Sequence, residues 1–120
     1  MALTIVKLDK DEVVIEWTVD DRHRQPYGLV HGGVHSGVVE TACSLGAGMN
    51  AKGQGVVGVE NHTSFLRAVR DGTLRATARP IHIGARAQLW EATIVDERSR
   101  VVATGRVRLF HLDPAARPGS

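Results

Sequence analysis

A chain of 120 residues with a formal net charge of +2, of which 42 % are hydrophobic and 23 % charged, has the composition of one globular domain. That excludes a disordered chain or a second domain, and the 13 acidic residues interspersed among 15 basic ones leave no positive stripe for nucleic acid. Cys43 is the one cysteine, so no internal disulfide framework exists and a reducing compartment fits. The start, MALTIVKLDKDE, is rich in acids and lysines where a secretory signal carries its apolar core, and no run is long enough to span a bilayer. The expected location is the cytoplasm, without membrane or nucleic-acid partners.

In chain order, residues 3–8 and 12–20 read as two strands around the turn Asp9-Lys10-Asp11. Val13, Ile15, Trp17 and Val19 alternate with Val14, Glu16, Thr18 and Asp20, giving one buried face. The loop DRHRQPYGLV follows, broken by Pro26 and Gly28. Residues 31–50, HGGVHSGVVETACSLGAGMN, then place Val34, Val38, Ala42, Leu45 and Met49 on one stripe of a helix roughly 28 Å long. Val39 and Cys43 widen the stripe. The other side carries Gly33, Ser36, Gly37, Glu40, Ser44, Ala47 and Gly48, a single carboxylate among residues too small to cover it. Gly37, Gly46 and Gly48 cost about 1 kcal/mol each relative to alanine, so the surroundings must hold this helix.

After a glycine-rich helix end at Gly53 and Gly55, the remaining segments read as strands. Residues 56–67 put Val57, Val59, Thr63 and Phe65 on one half-buried face, and residues 72–83 do the same with Leu74, Ala76 and Ala78. Residues 85–95 and 101–112, joined by Asp96-Glu97-Arg98-Ser99, complete an antiparallel meander. The expected fold is α+β: one long helix on an antiparallel sheet of five or six strands, a single domain over residues 1–112, with 113–120 a frayed tail. One helix leaves the sheet edges and its other face uncovered, so self-association is expected, a dimer at least.

Gln25, the run Gly28-Leu29-Val30-His31-Gly32-Gly33, Glu40, Ser44, Val57-Gly58-Val59-Glu60 and Phe65-Leu66-Arg67 together resemble the PaaI-like acyl-CoA thioesterases of the hotdog fold. The pattern is most similar to the branch containing the Arthrobacter-type 4-hydroxybenzoyl-CoA thioesterase and covers residues 25–109. The resemblance implies a long helix wrapped by a curved sheet, a dimer as the basic unit, and a homotetramer built as a dimer of dimers. It also implies that Glu40 is the nucleophile or general base and that the Gly32 backbone N–H polarises the thioester oxygen. Gln25 and His31 would sit beside that carbonyl, and Ser44 would help hold the water or the carboxylate. In the family, Glu40 and the segment from Gln25 to Gly32 come from different subunits.

Elementary physics is consistent with these roles. A helix amino end offers unpaired N–H groups to an oxygen that gains negative charge, and a carboxylate partly removed from water is a better proton acceptor at neutral pH. Without its companions Glu40 would be an ordinary surface acid. His31 and His35, four apart, could in principle share zinc, but the glutamate of the metalloprotease motif is missing, its place taken by Gly32, and no metal is expected. Cys43 reads as a buried thiol and Trp17 and Trp90 as core or interface aromatics.

On the strand after the helix, Asn61, His62 and Ser64 could line the acyl pocket, and His62 and Ser64 are taken as substrate-binding candidates. Among the basic residues Arg67, Arg70, Arg79, His82 and Arg86, the resemblance places the IHIGAR turn near bound coenzyme A, so Arg67, His82, Gly84 and Arg86 complete the binding set. The expected activity is hydrolysis of a small acyl-CoA, aryl groups included, to a carboxylic acid and free coenzyme A. No cofactor is needed, coenzyme A being part of the substrate. The alternatives are a non-catalytic acyl-CoA or acyl-carrier binding protein, which has no use for a carboxylate facing the thioester, and a hotdog hydratase or dehydratase.

Overall fold

The computed structural model describes residues 2–25 and 28–113; Pro26, Tyr27 and most of the tail expected to fray lie outside the described residues. The elements are β1 (Thr4–Leu8), β2 (Val13–Thr18), a 3-10 turn (Asp21–His23), α1 (Gly32–Met49), β3 (Val56–Phe65), β4 (Thr73–Ile83), β5 (Ala87–Val95) and β6 (Val101–His111). One six-stranded sheet runs β1-β2-β4-β5-β6-β3, every pair antiparallel. The chain leaves the sheet after β2, crosses it as α1 and re-enters at the far edge, so β3 pairs with β6 and not with β2. The core lies between α1 and the sheet.

The opening hairpin is set by Asp9, whose Oδ1 accepts the N–H groups of Asp11 and Glu12, each at 2.8 Å. Val13, Ile15, Trp17 and Val19 are buried, as the alternation requires. Leu74, Ala76 and Ala78 of β4 likewise face the helix.

Two sequence expectations need correction. The helix bounds are right to a residue, but its buried face is His35, Val38, Val39, Ala42, Cys43, Gly46 and Ala47, while Met49 is exposed. The cause is close approach: a Cβ added to Gly46 would lie 2.4 Å from the Trp90 ring, so the row nearest the sheet is made of the smallest side chains. A count of apolar residues passes over such a row. Ala47, placed on the open side by that count, is fully buried.

The second correction concerns β3. Val57 and Val59 are exposed, and they do not share a face with Thr63 and Phe65, because a bulge interrupts the pairing between Gly58 and Glu60. Gly58 pairs with Leu109 and Glu60 with Arg108, so one extra residue re-aims the strand. Gly58, Asn61, Thr63 and Phe65 then look toward α1, opposite the buried Leu109, Val107, Gly105 and Ala103. Their outer neighbours, including His62 and Ser64, look away.

Past α1, Lys52 (φ 53°) and Gly53 (φ 85°) make the left-handed exit foreseen from the glycines. Asn50 Nδ2 donates to the Gly46 carbonyl at 3.0 Å and to the Lys10 carbonyl at 2.7 Å, tying the helix end to the first hairpin.

Candidate active site

Glu40 stands on the outward side of α1, one and two turns after Gly37 and Gly33, and the carboxylate meets β3 at its bulge. Asn61 Nδ2 donates to Glu40 Oε1 at 3.3 Å and to the Ser36 carbonyl at 3.0 Å. Thr63 Oγ1 donates to Asn61 Oδ1 at 2.7 Å, which fixes the amide with its NH2 toward Glu40. A Cβ on Gly58 would lie 3.4 Å from the Glu40 carboxyl carbon, so glycine at the bulge makes room for the carboxylate. Gly33, Ser36, Gly37, Glu40, Thr41, Ser44, Leu45 and Asn61 line an open cleft of about 500 Å³. Glu40 is exposed within the single chain, where partial desolvation had been expected.

Ser44 lines this cleft one turn after Glu40, as its spacing requires. Gly32 opens the helix, with His31 at the N-cap making no side-chain cap. The Val34 N–H bonds back to the His31 carbonyl at 3.0 Å, leaving the Gly32 and Gly33 amides at the positive end of the helix dipole. The ring of Phe65 lies against Gly32: an added Cβ there would be 2.6 Å from Phe65 Cε2. Gln25 is half-buried, and its backbone accepts from Gly28 at 2.8 Å and donates to Leu29 at 2.5 Å, a turn that needs the positive φ of Gly28 (85°). Gly32 and Glu40 are eight residues apart on one helix, about 12 Å of rise.

His35 is buried against Trp17 and Phe65, with ring centroids 6.2 Å away in each case, while His31 stays exposed, so the two histidines do not form a joint surface. Among the described residues no group of three or more His, Cys, Asp or Glu side chains is placed to hold a metal. Cys43 is buried, and burial first, then Glu40 and Glu91, pushes its thiol up to about 12. That is an inert thiol.

The binding candidates divide between the two ends of α1. Arg67 follows β3 just beyond Phe65, at the helix start, with its N–H on the Val102 carbonyl at 3.2 Å. Gly84 sits at the helix end, sharing a cavity of about 530 Å³ with Asn50, Ala51, Lys52 and Gln54. The Gly84 N–H bonds to the Ala87 carbonyl at 2.8 Å, and a Cβ there would lie 2.9 Å from that oxygen and 3.1 Å from His82 Nε2. Arg86 lines an adjoining cavity of about 720 Å³ with Gln54, Phe110 and His111. His62 and Ser64 face away from Glu40. Asn61 was named from the sequence for the acyl pocket, but its bond to Glu40 was not foreseen, and neither was the support from the Ser36 carbonyl and from Thr63 and Gly58, which the bulge brings to the helix side.

A family model described as the thioesterase superfamily matches residues 27–103. The chain belongs to that superfamily. The proofreading thioesterase EntH of Cronobacter sakazakii is 36 % identical over 108 residues, covering 89 % of this chain and 79 % of its own. Among solved structures, the Mycobacterium tuberculosis protein Rv1847/MT1895 superposes with a TM-score of 0.89 at 42 % identity, over 97 % of this chain and 94 % of that one. Thioesterase HI1161 of Haemophilus influenzae gives 0.88 at 31 % identity, over 96 % and 81 %. The helix on a six-stranded antiparallel sheet is thus the hotdog architecture, and the chain is a thioesterase, an enzyme that hydrolyses thioesters. No described helix of this thioesterase is long and apolar enough to cross a membrane.

Proposed function

We propose that this thioesterase hydrolyses a small acyl-CoA, aryl acyl groups included, at a site assembled from two subunits. The observation that carries this reading is the separation on α1. A thioester carbonyl spans little more than 1 Å, yet Glu40 and Gly32 are separated by about 12 Å of rise along one helix. One substrate can use both groups only if they come from two copies, the helix start of one protomer facing Glu40 of the other.

The edge strand supports such pairing. Among the described residues β3 has no neighbour beyond β6, and its outer residues include the exposed Val57 and Val59. An unpaired edge strand of 10 residues is what another copy of the same strand would cover. A homodimer is therefore the proposed working unit, with a homotetramer as a pair of dimers, and a cytoplasmic location suits an acyl-CoA substrate.

In this mechanism the Gly32 N–H draws electron density onto the carbonyl oxygen, with Gln25 and His31 alongside. Glu40 either attacks the carbonyl carbon or takes a proton from the attacking water, which Ser44 helps to place. When Glu40 attacks, the carbon–sulfur bond breaks to leave an acyl–Glu40 anhydride that water then hydrolyses to the carboxylic acid. When water attacks, its oxygen becomes that of the acid as the carbon–sulfur bond breaks. On either route the sulfur of coenzyme A leaves as the thiol, taking up a proton that comes from the water. Arg67 at one end of α1, or His82, Gly84 and Arg86 at the other, would meet the coenzyme A phosphates. His62 and Ser64, on the far face of β3, take no part in attack by Glu40.

The test is thiol release from aliphatic and aryl acyl-CoAs by the native protein, Glu40→Ala and Glu40→Gln. The reading requires turnover of at least one ester and a loss of about a hundredfold or more in both variants. Tight binding without thiol release would instead mark a binding protein.

A further inference from the structure

Three side-chain nitrogens shut off from solvent find no partner among the described residues: Trp17 Nε1, His23 Nε2 and His35 Nδ1. Their residues are 2, 4 and 3 % exposed. They come from β2, the 3-10 turn and α1, yet the rings adjoin. The centroids of Trp17 and His23 are 4.9 Å apart, edge to face, and those of Trp17 and His35 6.2 Å. Buried polar atoms in folded proteins are almost always paired, so three orphans on adjoining rings point to a shared partner.

The chemistry of that partner can be read from the nitrogens. His23 Nδ1 accepts the Asp20 N–H at 2.9 Å, which puts the ring proton on Nε2 and makes that atom a donor. Trp17 Nε1 can only donate. His35 sits where burial lowers its proton affinity, so the ring is neutral and Nδ1 accepts when the proton is on Nε2. With the His35 proton on Nε2, the complement is a group that accepts two hydrogen bonds and gives one. A hydroxyl oxygen does this; a carboxylate has nothing to give, and an ammonium nothing with which to accept.

The cluster lies close to the candidate active site. His23 lines a cavity of about 370 Å³ together with Arg22, Gly33, Val34 and Gly37. Gly33 and Gly37 also line the cleft that holds Glu40. We propose that Trp17, His23 and His35 form an internal binding site for a hydroxyl oxygen, either a water molecule or the hydroxyl of an acyl group entering along the first turns of α1. The second source rests on the acyl-CoA thioesterase reading; the oxygen site itself does not.

The experiment has two arms. Crystals of the native protein without substrate, diffracting well enough to show ordered water, should carry an oxygen within hydrogen-bond distance of Trp17 Nε1 and His23 Nε2. Native protein and Trp17→Phe, which keeps the ring packing and removes the N–H, are then compared on butyryl-CoA against 3-hydroxybutyryl-CoA and on benzoyl-CoA against 4-hydroxybenzoyl-CoA. If the acyl group supplies the oxygen, the native preference in kcat/KM for the hydroxylated ester falls roughly tenfold or more in the variant. An oxygen in the crystal with the preference unmoved assigns the site to water. A native crystal in which the three nitrogens pair with protein groups, or enclose no oxygen, overturns the proposal even if acyl-CoA hydrolysis is confirmed or Trp17→Phe fails to fold.

Discussion

The Asn61 side chain bridges β3 and α1 at the carboxylate, with Nδ2 at 3.3 Å from Glu40 Oε1 and the amide oriented by Thr63 at 2.7 Å. Such a bridge holds the carboxylate at one angle over the cleft without itself reacting. Asn61→Ala should therefore lower kcat about ten- to a hundredfold with little change in KM, the effect of a misplaced rather than a missing group. Asn61→Asp sets a like charge beside Glu40 and should also move the acid limb of the pH–rate profile upward. A KM effect alone, or an unchanged profile in Asn61→Asp, would remove Asn61 from the positioning of Glu40.

Gly32 and Phe65 are coupled by contact. An alanine Cβ at position 32 meets the ring at 2.6 Å, and since Phe65 is 56 % exposed the ring can yield. Gly32→Ala should therefore fold, but with a ring displaced over the helix start and activity down about tenfold. Adding Phe65→Ala should recover part of that loss. Equal loss in the single and double variants would show that the ring is not the cause.

Burial lowers the His35 pKa below its ordinary 6.5. The unfolded chain then binds the proton more readily than the folded one below pH 6.5, so this contribution to stability is complete above that pH and is lost as pH falls. Denaturant midpoints should drop between pH 7 and 5, and His35→Phe should flatten the decline. An identical slope in the variant would contradict the assignment to His35.

Cys43, with its thiol pushed up to about 12, should be silent toward disulfide reagents in the native protein at pH 8. Labelling should be roughly a hundredfold slower than in denaturant, because both access and thiolate are lacking. Fast native labelling would mean that α1 lifts from the sheet.

The alternation of Val13, Ile15 and Trp17 in β2 and of Leu74, Ala76 and Ala78 in β4 was legible in the sequence because each strand packs one face against the helix. Trp17 and Trp90 were readable as core or interface aromatics from their size, and Cys43 as buried from its apolar row on the helix. What escaped depends on distance rather than type. Gly46 faces the core because Trp90 comes within a methyl group of it, and no apolar count registers a glycine. The bulge at Gly58 shifts β3 by one residue, so Val57 and Val59 leave the face they were expected to share with Thr63 and Phe65, and Gly58 takes their place. Glu40, Gly32, Gln25 and Ser44 were marked by the family resemblance, and Asn61 was named for the acyl pocket, but that its amide would reach Glu40 could not be read without the packing of β3 on α1. The Trp17, His23 and His35 cluster joins three segments far apart in the chain, which only the fold brings together.

The central claim is that each site takes Glu40 from one protomer and Gln25 from its partner. Glu40→Ala and Gln25→Ala, each inactive or nearly so alone, should be unfolded together, refolded as a 1:1 mixture and assayed for thiol release. In half of the dimers one site of two would then be intact, restoring about a quarter of native activity. A mixture no more active than its components would place both residues in the same chain's site and contradict the two-subunit mechanism.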